Sequence, residues 1–164
     1  MAADDPATFL IRPAVLGDAE GIARVHAGSW RETYGRFVEN PDTSPWFEVE
    51  PRIERWRANL RERTFRTTVA VDEVGPVGFA AVLATPEPDA VRPEELTMLY
   101  VLGRAHGGGA GQALLDTALD GRPASLWVAA DNPRAHAFYR RNGFVADGAE
   151  SSFGPIERSL RLVR

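Results

Sequence analysis

The sequence has no cysteine and no lysine among its 164 residues. Without cysteine there is no disulfide framework, no thiolate metal site and no cysteine nucleophile. Without lysine there is neither a Walker phosphate lysine nor a lysine Schiff base. All nineteen basic residues are arginine, a bias read as genomic composition. Histidine is scarce too: His26, His106 and His136 lack metal-ligand spacing, so no metal is expected. No apolar run reaches the length of a membrane span. The opening MAADDPAT lacks the basic start and apolar core of a signal peptide. Residues 1–7 read as a flexible tail on a single domain spanning 1–164, and a cytoplasmic setting fits. The net charge of −4 argues against nucleic acid as a partner.

What is present alternates regularly. TFLIR (8–12) reads as a first strand, and Asp18 can cap a helix with Ile22, Val25, His26 and Ser29 on one face. ENPDTSPW (39–46) is loop by its Asn-Pro and Ser-Pro signals. A second helix starts near Pro51, with Ile53, Trp56 and Leu60 at helical spacing. TFRTTVAVD (64–72), VGFAAVLA (77–84) and EELTMLYVL (94–102) read as strands. A short helix with Leu114, Leu115 and Ala118 follows, then the buried strand ASLWVAA (124–130). Asn132-Pro133 opens a helix that stops at Asn142-Gly143, and FVADG and IERSLRLV close the chain as strands. The order β-α-α-β-β-β-α-β-α-β-β predicts an α/β (α+β) fold, a mixed sheet with helices on both faces.

One stretch breaks the pattern: GRAHGGGAG (103–111), between a strand and a helix. Glycine there costs backbone entropy, so a tight turn or a close ligand must require it. Glycines running into a helix start expose backbone N–H groups at the positive end of the helix dipole, which suits phosphate. A P-loop is excluded by the missing lysine. A dinucleotide fingerprint fails in both frames, since Gly107-x-Gly109 leads to Gln112 and Gly109-x-Gly111 to Leu114.

LYVLGRAHGGGAGQALL followed by LWVAADNPRAHAFYRRNGF resembles the GNAT superfamily of acyl-CoA-dependent N-acetyltransferases. His106-x-x-Gly109-x-Gly111 fits its pyrophosphate loop at both glycines, and Asn132, Tyr139 and Asn142-Gly143-Phe144 fit its second motif. The resemblance implies a mixed, mostly antiparallel sheet of six or seven strands flanked by about four helices, splayed between the fourth and fifth strands. It implies acetyl-CoA as cosubstrate: the pantetheine arm along Leu99, Tyr100 and Val101, the pyrophosphate over His106, Gly107, Gly108, Gly109, Ala110, Gly111 and Gln112, and Asn132 nearby. Three positions depart from the family pattern. His106 replaces a basic or amide residue, Gly103 a proline and Gln112 an arginine, changes expected to remove donors and loosen the loop.

Acetyl transfer to an amine must deprotonate a group of pKa about 10 and neutralise a departing thiolate. Tyr139 matches the family's tyrosine acid, and Glu95, at the start of the fourth strand, is the candidate base acting through water, with Glu94 on the other face. LWVAA carries no glutamate on the fifth strand. Trp30 and Tyr34 come from the segment that usually walls the acceptor, with aromatic core packing the equal alternative. His26 reads as a satisfied core histidine and His136 as a helix-surface residue. The expected reaction is acetylation of a primary amine on a small molecule or peptide, and a homodimer is common in the family. Rival readings are a non-catalytic acyl-CoA sensor, a dinucleotide binder and an assembly partner that pairs its exposed strands.

Overall fold

A computed structural model describes residues 8–164; the tail read over 1–7 lies outside the described residues. In chain order the elements are β1 (Leu10–Pro13), α1 (Ala19–Tyr34), α2 (Glu50–Glu62), β2 (Arg66–Val71), β3 (Pro76–Ala84), β4 (Glu94–Val101), α3 (Ala110–Leu119), β5 (Ser125–Ala129), α4 (Pro133–Arg141), β6 (Val145–Phe153) and β7 (Ile156–Val163). The order matches the sequence reading. The strands form one seven-stranded sheet, β1-β2-β3-β4-β5-β7-β6. Every neighbouring pair is antiparallel except β4–β5, which is parallel and meets at the single pair Glu95↔Ser125. Beyond that pair the two strands part. No helix among the described residues is long and apolar enough to cross a membrane.

Side chains alternate along each strand, so the sheet buries two faces. On one, Ile22 and Val25 of α1 and Trp56 of α2 pack over Val69, Phe79 and Ala81. On the other, Leu114, Leu115 and Leu119 of α3 pack over Ala70, Ala80, Val82, Leu96 and Leu126. Each of those α3 leucines is fully buried, worth roughly 2 kcal/mol. The register slips between Ala81 and Val82, leaving Thr97 as the extra residue of β4. Its hydroxyl donates to the Ala81 carbonyl at 2.9 Å and fills the gap in the ladder.

Two local readings change. Asp18 precedes α1 but does not cap it. Its carboxylate turns back to accept from Arg12 at 2.7 and 2.9 Å and from the Val15 N–H at 2.8 Å, tying β1 to the helix entry. The strand read as FVADG continues to Phe153, because Gly148, at φ +94°, supports a break in register rather than a turn.

Candidate active site

The parting of β4 from β5 sets the site. The Leu102 N–H donates to Val77 on β3 at 2.9 Å. By the alternation of an antiparallel ladder, the peptide groups of Leu99 and Val101 therefore face the other way, toward the gap. A cleft of about 580 Å³ opens there, within the usual range for small-molecule sites. Its walls come from α1 (Ser29, Thr33, Tyr34), β4 (Leu99, Tyr100, Val101), the glycine loop with the start of α3, and α4 (Arg134, Phe138, Tyr139).

Glycine at 107 and 109 answers a backbone need. Their φ angles are +81° and +86°, and a Cβ at either position would meet nothing within 4 Å. Neighbours therefore do not demand their smallness; left-handed backbone and uncovered amides do. No side chain caps α3, whose first intrahelical bond runs from the Ala113 N–H to Gly109 at 3.0 Å. The N–H groups of Ala110, Gly111 and Gln112 form its uncapped first turn, with the positive end of the dipole toward the cleft. Peptide donors along β4, amides in the loop and a helix start fit the amide-bearing arm and pyrophosphate of coenzyme A. Among the described residues no group of three or more His, Asp or Glu side chains is placed to hold a metal.

The expected loosening of the loop is not what the side chains do. The Gly103 N–H donates to the Glu32 carboxylate of α1 at 2.9 Å, a bond proline could not make. A Cβ at Gly103 would stand 3.3 Å from the same carboxylate. His106 Nε2 pairs with the Val101 carbonyl at 2.8 Å, and its Nδ1 meets the Arg134 guanidinium. A guanidinium only donates, so Nδ1 accepts and the proton sits on Nε2. Gln112 and Asn142 exchange two amide hydrogen bonds, at 2.8 and 3.1 Å. Each departure from the family pattern has a partner on a neighbouring helix or, for Gln112, at the residue that ends one.

Of the residues singled out from sequence, Tyr34, Leu99, Tyr100, Val101, His106, Gly107, Gly109, Ala110, Gly111, Gln112, Asn132 and Tyr139 line this one cleft. Tyr139 is buried, and its hydroxyl has no hydrogen-bond partner among the described residues. Burial pushes the phenol well above its ordinary pKa, so it holds its proton. Asn132 accepts from the Ala135 N–H at 3.2 Å and caps α4.

Gly108, Trp30 and Glu95 do not line the cleft. Trp30 stands behind its wall, donating to the Tyr100 hydroxyl at 2.9 Å and stacking on Trp46. Glu95 sits where β4 still pairs with β5, and it lines a neighbouring cavity of about 270 Å³ with Ser125, Arg161 and Trp127. Trp127 borders both spaces. Burial raises the Glu95 pKa, and Arg161 opposes it. His26 accepts from the Trp56 indole at 3.2 Å and stacks on Tyr100; burial lowers its pKa to about 3 and keeps it neutral. His136 is half-buried, not a surface residue, and pairs with the Ala129 carbonyl at 3.1 Å. Sequence reading missed Arg134, Phe138 and Arg141, although their spacing of four and three on the Tyr139 helix was a signal.

Comparison with known proteins agrees with this geometry. The family model described as the acetyltransferase (GNAT) domain matches residues 63–146, about half the chain. The chain belongs to the GNAT acetyltransferase family. It is 33% identical over 108 residues to the uncharacterized N-acetyltransferase YuaI of Bacillus subtilis (strain 168), covering 64% of this chain and 59% of that protein. The match thus spans less than two thirds of the relative. The fold is also that of the PaiA N-acetyltransferase of Thermoplasma acidophilum in complex with coenzyme A, with TM-score 0.72 and 19% identity over 96% of this chain and 98% of the other. The ribosomal-protein-alanine N-acetyltransferase of Brucella melitensis gives TM-score 0.69 and 25% identity, over 94% and 98%.

Proposed function

We propose that this chain transfers the acetyl group of acetyl-CoA to a primary amine of a small molecule or a peptide. The observation that carries the reading is one cleft holding both the open amide cradle of Gly107 to Gln112 and the buried phenol of Tyr139. The loop amides and the α3 N-terminus hold the pyrophosphate, and Leu99 and Val101 pair with the pantetheine arm. Arg134 and Arg141, both on the cleft wall, add positive charge for the phosphates. Acetyl-CoA supplies the thioester; in the transfer a C–N bond forms and the C–S bond breaks.

The protein's part is placement and proton handling. Tyr139 donates its phenolic hydrogen to the departing sulfur in a hydrogen bond. An ordinary thiol titrates near ~8.5, below the buried phenol, so complete transfer to sulfur is uphill and the tyrosine's main contribution is the hydrogen bond that stabilises the charge building there. Glu95 takes the amine proton through water from the adjoining cavity, on the far side of Trp127. Tyr34 faces the acceptor, with Trp30 packed against it from behind. Holding both reactants in one cleft supplies much of the rate without a directly contacting base.

The acceptor is an amine in either size class, and the names of the Bacillus and Brucella relatives agree with an amine without narrowing it. The test is the melting temperature with acetyl-CoA and, as control, NADH. A ligand bound only by the native state adds about 2.7 kcal/mol at one hundred times Kd, several degrees for a domain of this size. A shift with acetyl-CoA alone, followed by thiol release in an amine screen, is the expected outcome. No shift at millimolar acetyl-CoA refutes the reading. Tyr139→Phe separates an enzyme, which loses turnover, from a non-catalytic sensor, which loses nothing.

A further inference from the structure

Helix α4 carries Tyr139, its one buried residue, which joins the main hydrophobic core while Ala135 and Phe138 pack against that core. Polar ties add to this packing, and two of them lead to the cofactor loop and the helix it opens. At the N-terminal end the Arg134 guanidinium meets Nδ1 of His106, whose Nε2 is fixed on the Val101 carbonyl. At the C-terminal end Gln112, in the first turn of α3, exchanges two amide hydrogen bonds with Asn142. Asn142 also donates to the Phe138 carbonyl at 2.9 Å, one residue before the tyrosine. Two further ties lead elsewhere: His136 pairs with the Ala129 carbonyl of β5, and Arg164 donates to the Asn142 carbonyl at 3.2 Å. The phenol hydroxyl bonds to nothing among the described residues; Phe138 and Phe144 hold the ring edge-on, and the aim of the hydroxyl follows the setting of the helix.

We propose that His106 and Gln112 are positioning residues that make α4 move with the cofactor loop, so that loading the loop fixes Tyr139 for proton donation. The proposal rests on the acetyl-CoA reading above. Both side chains are exposed, and their bonds individually are weak, so the expected coupling is about five-fold rather than all-or-none. Their geometry still has a direction. The amides that receive a pyrophosphate belong to the same short segment, 106 to 112, that grips α4 at both ends.

Hydrogen–deuterium exchange with coenzyme A itself tests the coupling without turnover. In the parent protein, coenzyme A should slow exchange in the peptides covering 103–113 and 132–143 together. In His106→Ala and Gln112→Ala the loop should stay protected while the α4 response shrinks about five-fold. His106→Asn, which offers both a donor and an acceptor, should restore part of it. The exchanged pair Gln112→Asn with Asn142→Gln should do the same. In turnover, each alanine variant should lower kcat about five-fold with little change in KM for acetyl-CoA, and that loss should vanish in a Tyr139→Phe background.

Loop protection without α4 protection in the parent protein overturns the proposal. So does an undiminished α4 response in both alanine variants, or the same kcat loss with and without Tyr139. Failure of coenzyme A to protect even the loop is a different result: it removes the cofactor reading, and the proposal falls with it.

Discussion

Strand β4 is two different objects at its two ends. At Glu94 and Glu95 it is an interior strand: Glu95 pairs with Ser125 of β5, and Glu94 accepts from Arg66 at 2.9 Å and Arg122 at 3.2 Å. Both arginines also bond the Ala118 carbonyl, placing positive charge at the C-terminal end of α3. At Leu99 to Val101 the strand has lost β5 and faces a cleft, with the bare N-terminus of α3 alongside. Helix α3 therefore has its negative end neutralised by protein and its positive end left for a ligand. The contrast teaches a division of labour. The closed end should govern stability and the open end ligand and rate, and substitutions can set the two apart.

The largest effect is expected at the open end. Gly109→Glu places a carboxylate among the amides and should weaken coenzyme A binding by at least about a hundred-fold, read by calorimetry. A left-handed non-glycine residue costs on the order of 1–2 kcal/mol, so the variant should also melt a few degrees lower. Gly109→Ala isolates that backbone cost, and it should melt like the glutamate variant while binding far better. Equal binding by the parent and Gly109→Glu would dissolve the contrast at once. Next comes Tyr139→Phe, which keeps the ring packing on Phe138 and Phe144 and removes only the hydroxyl. We expect kcat to fall about ten- to a hundred-fold where chemistry limits, with coenzyme A affinity unchanged within about three-fold.

Glu95 pairs at the closed end but opens onto the neighbouring cavity, so it crosses the division, and its effect on rate should be smaller. Because burial raises its pKa, its base form appears only as pH climbs through a value above the usual carboxylate range. The rate should therefore fall on the acid side in the parent, and Glu95→Gln should remove that limb while lowering the plateau a few-fold. A pH–rate profile identical in both proteins rejects the base role.

Much of this was legible in the sequence, for physical reasons. The element order follows from periodicity. The start of α4 follows from Asn132-Pro133, whose side chain does cap the helix, and its end from Gly143, which sits at φ +84° as a left-handed residue should. The two glycines of the cradle were readable because few other causes require three in a row. What stayed hidden are partnerships between distant residues. Glu32 with Gly103, and Gln112 with Asn142, lie 71 and 30 positions apart, and no local pattern in an arginine-rich, lysine-free chain points from one to the other. Trp30 and Glu95 were assigned by segment, and a segment does not say which side chain a neighbouring ring or strand will cover. The same limit made the loop read as slack when its three unusual residues are its ties.

The smallest effect should come from the closed end. Glu94→Gln breaks an ion pair with two arginines whose side chains are 49% and 43% exposed, so solvent screens it and the loss should be about 1 kcal/mol. For a domain of this size that is a drop of a few degrees in Tm, with coenzyme A affinity untouched. The effect has a pH signature. The Arg66 hydrogen bond, with Arg122 adding to it, holds the Glu94 carboxyl below its ordinary value of 4.5 against the opposing cost of burial. The folded state thus binds its proton less readily than the unfolded chain, so its stabilisation is complete above 4.5 and fades as pH falls through the lowered value. The Tm gap between parent and variant should be constant from pH 8 to about 5 and close under acid. A gap that widens in acid, or a variant that loses coenzyme A, would mean that the two ends of β4 are not independent and that the cleft leans on the very strand end that appears sealed from it.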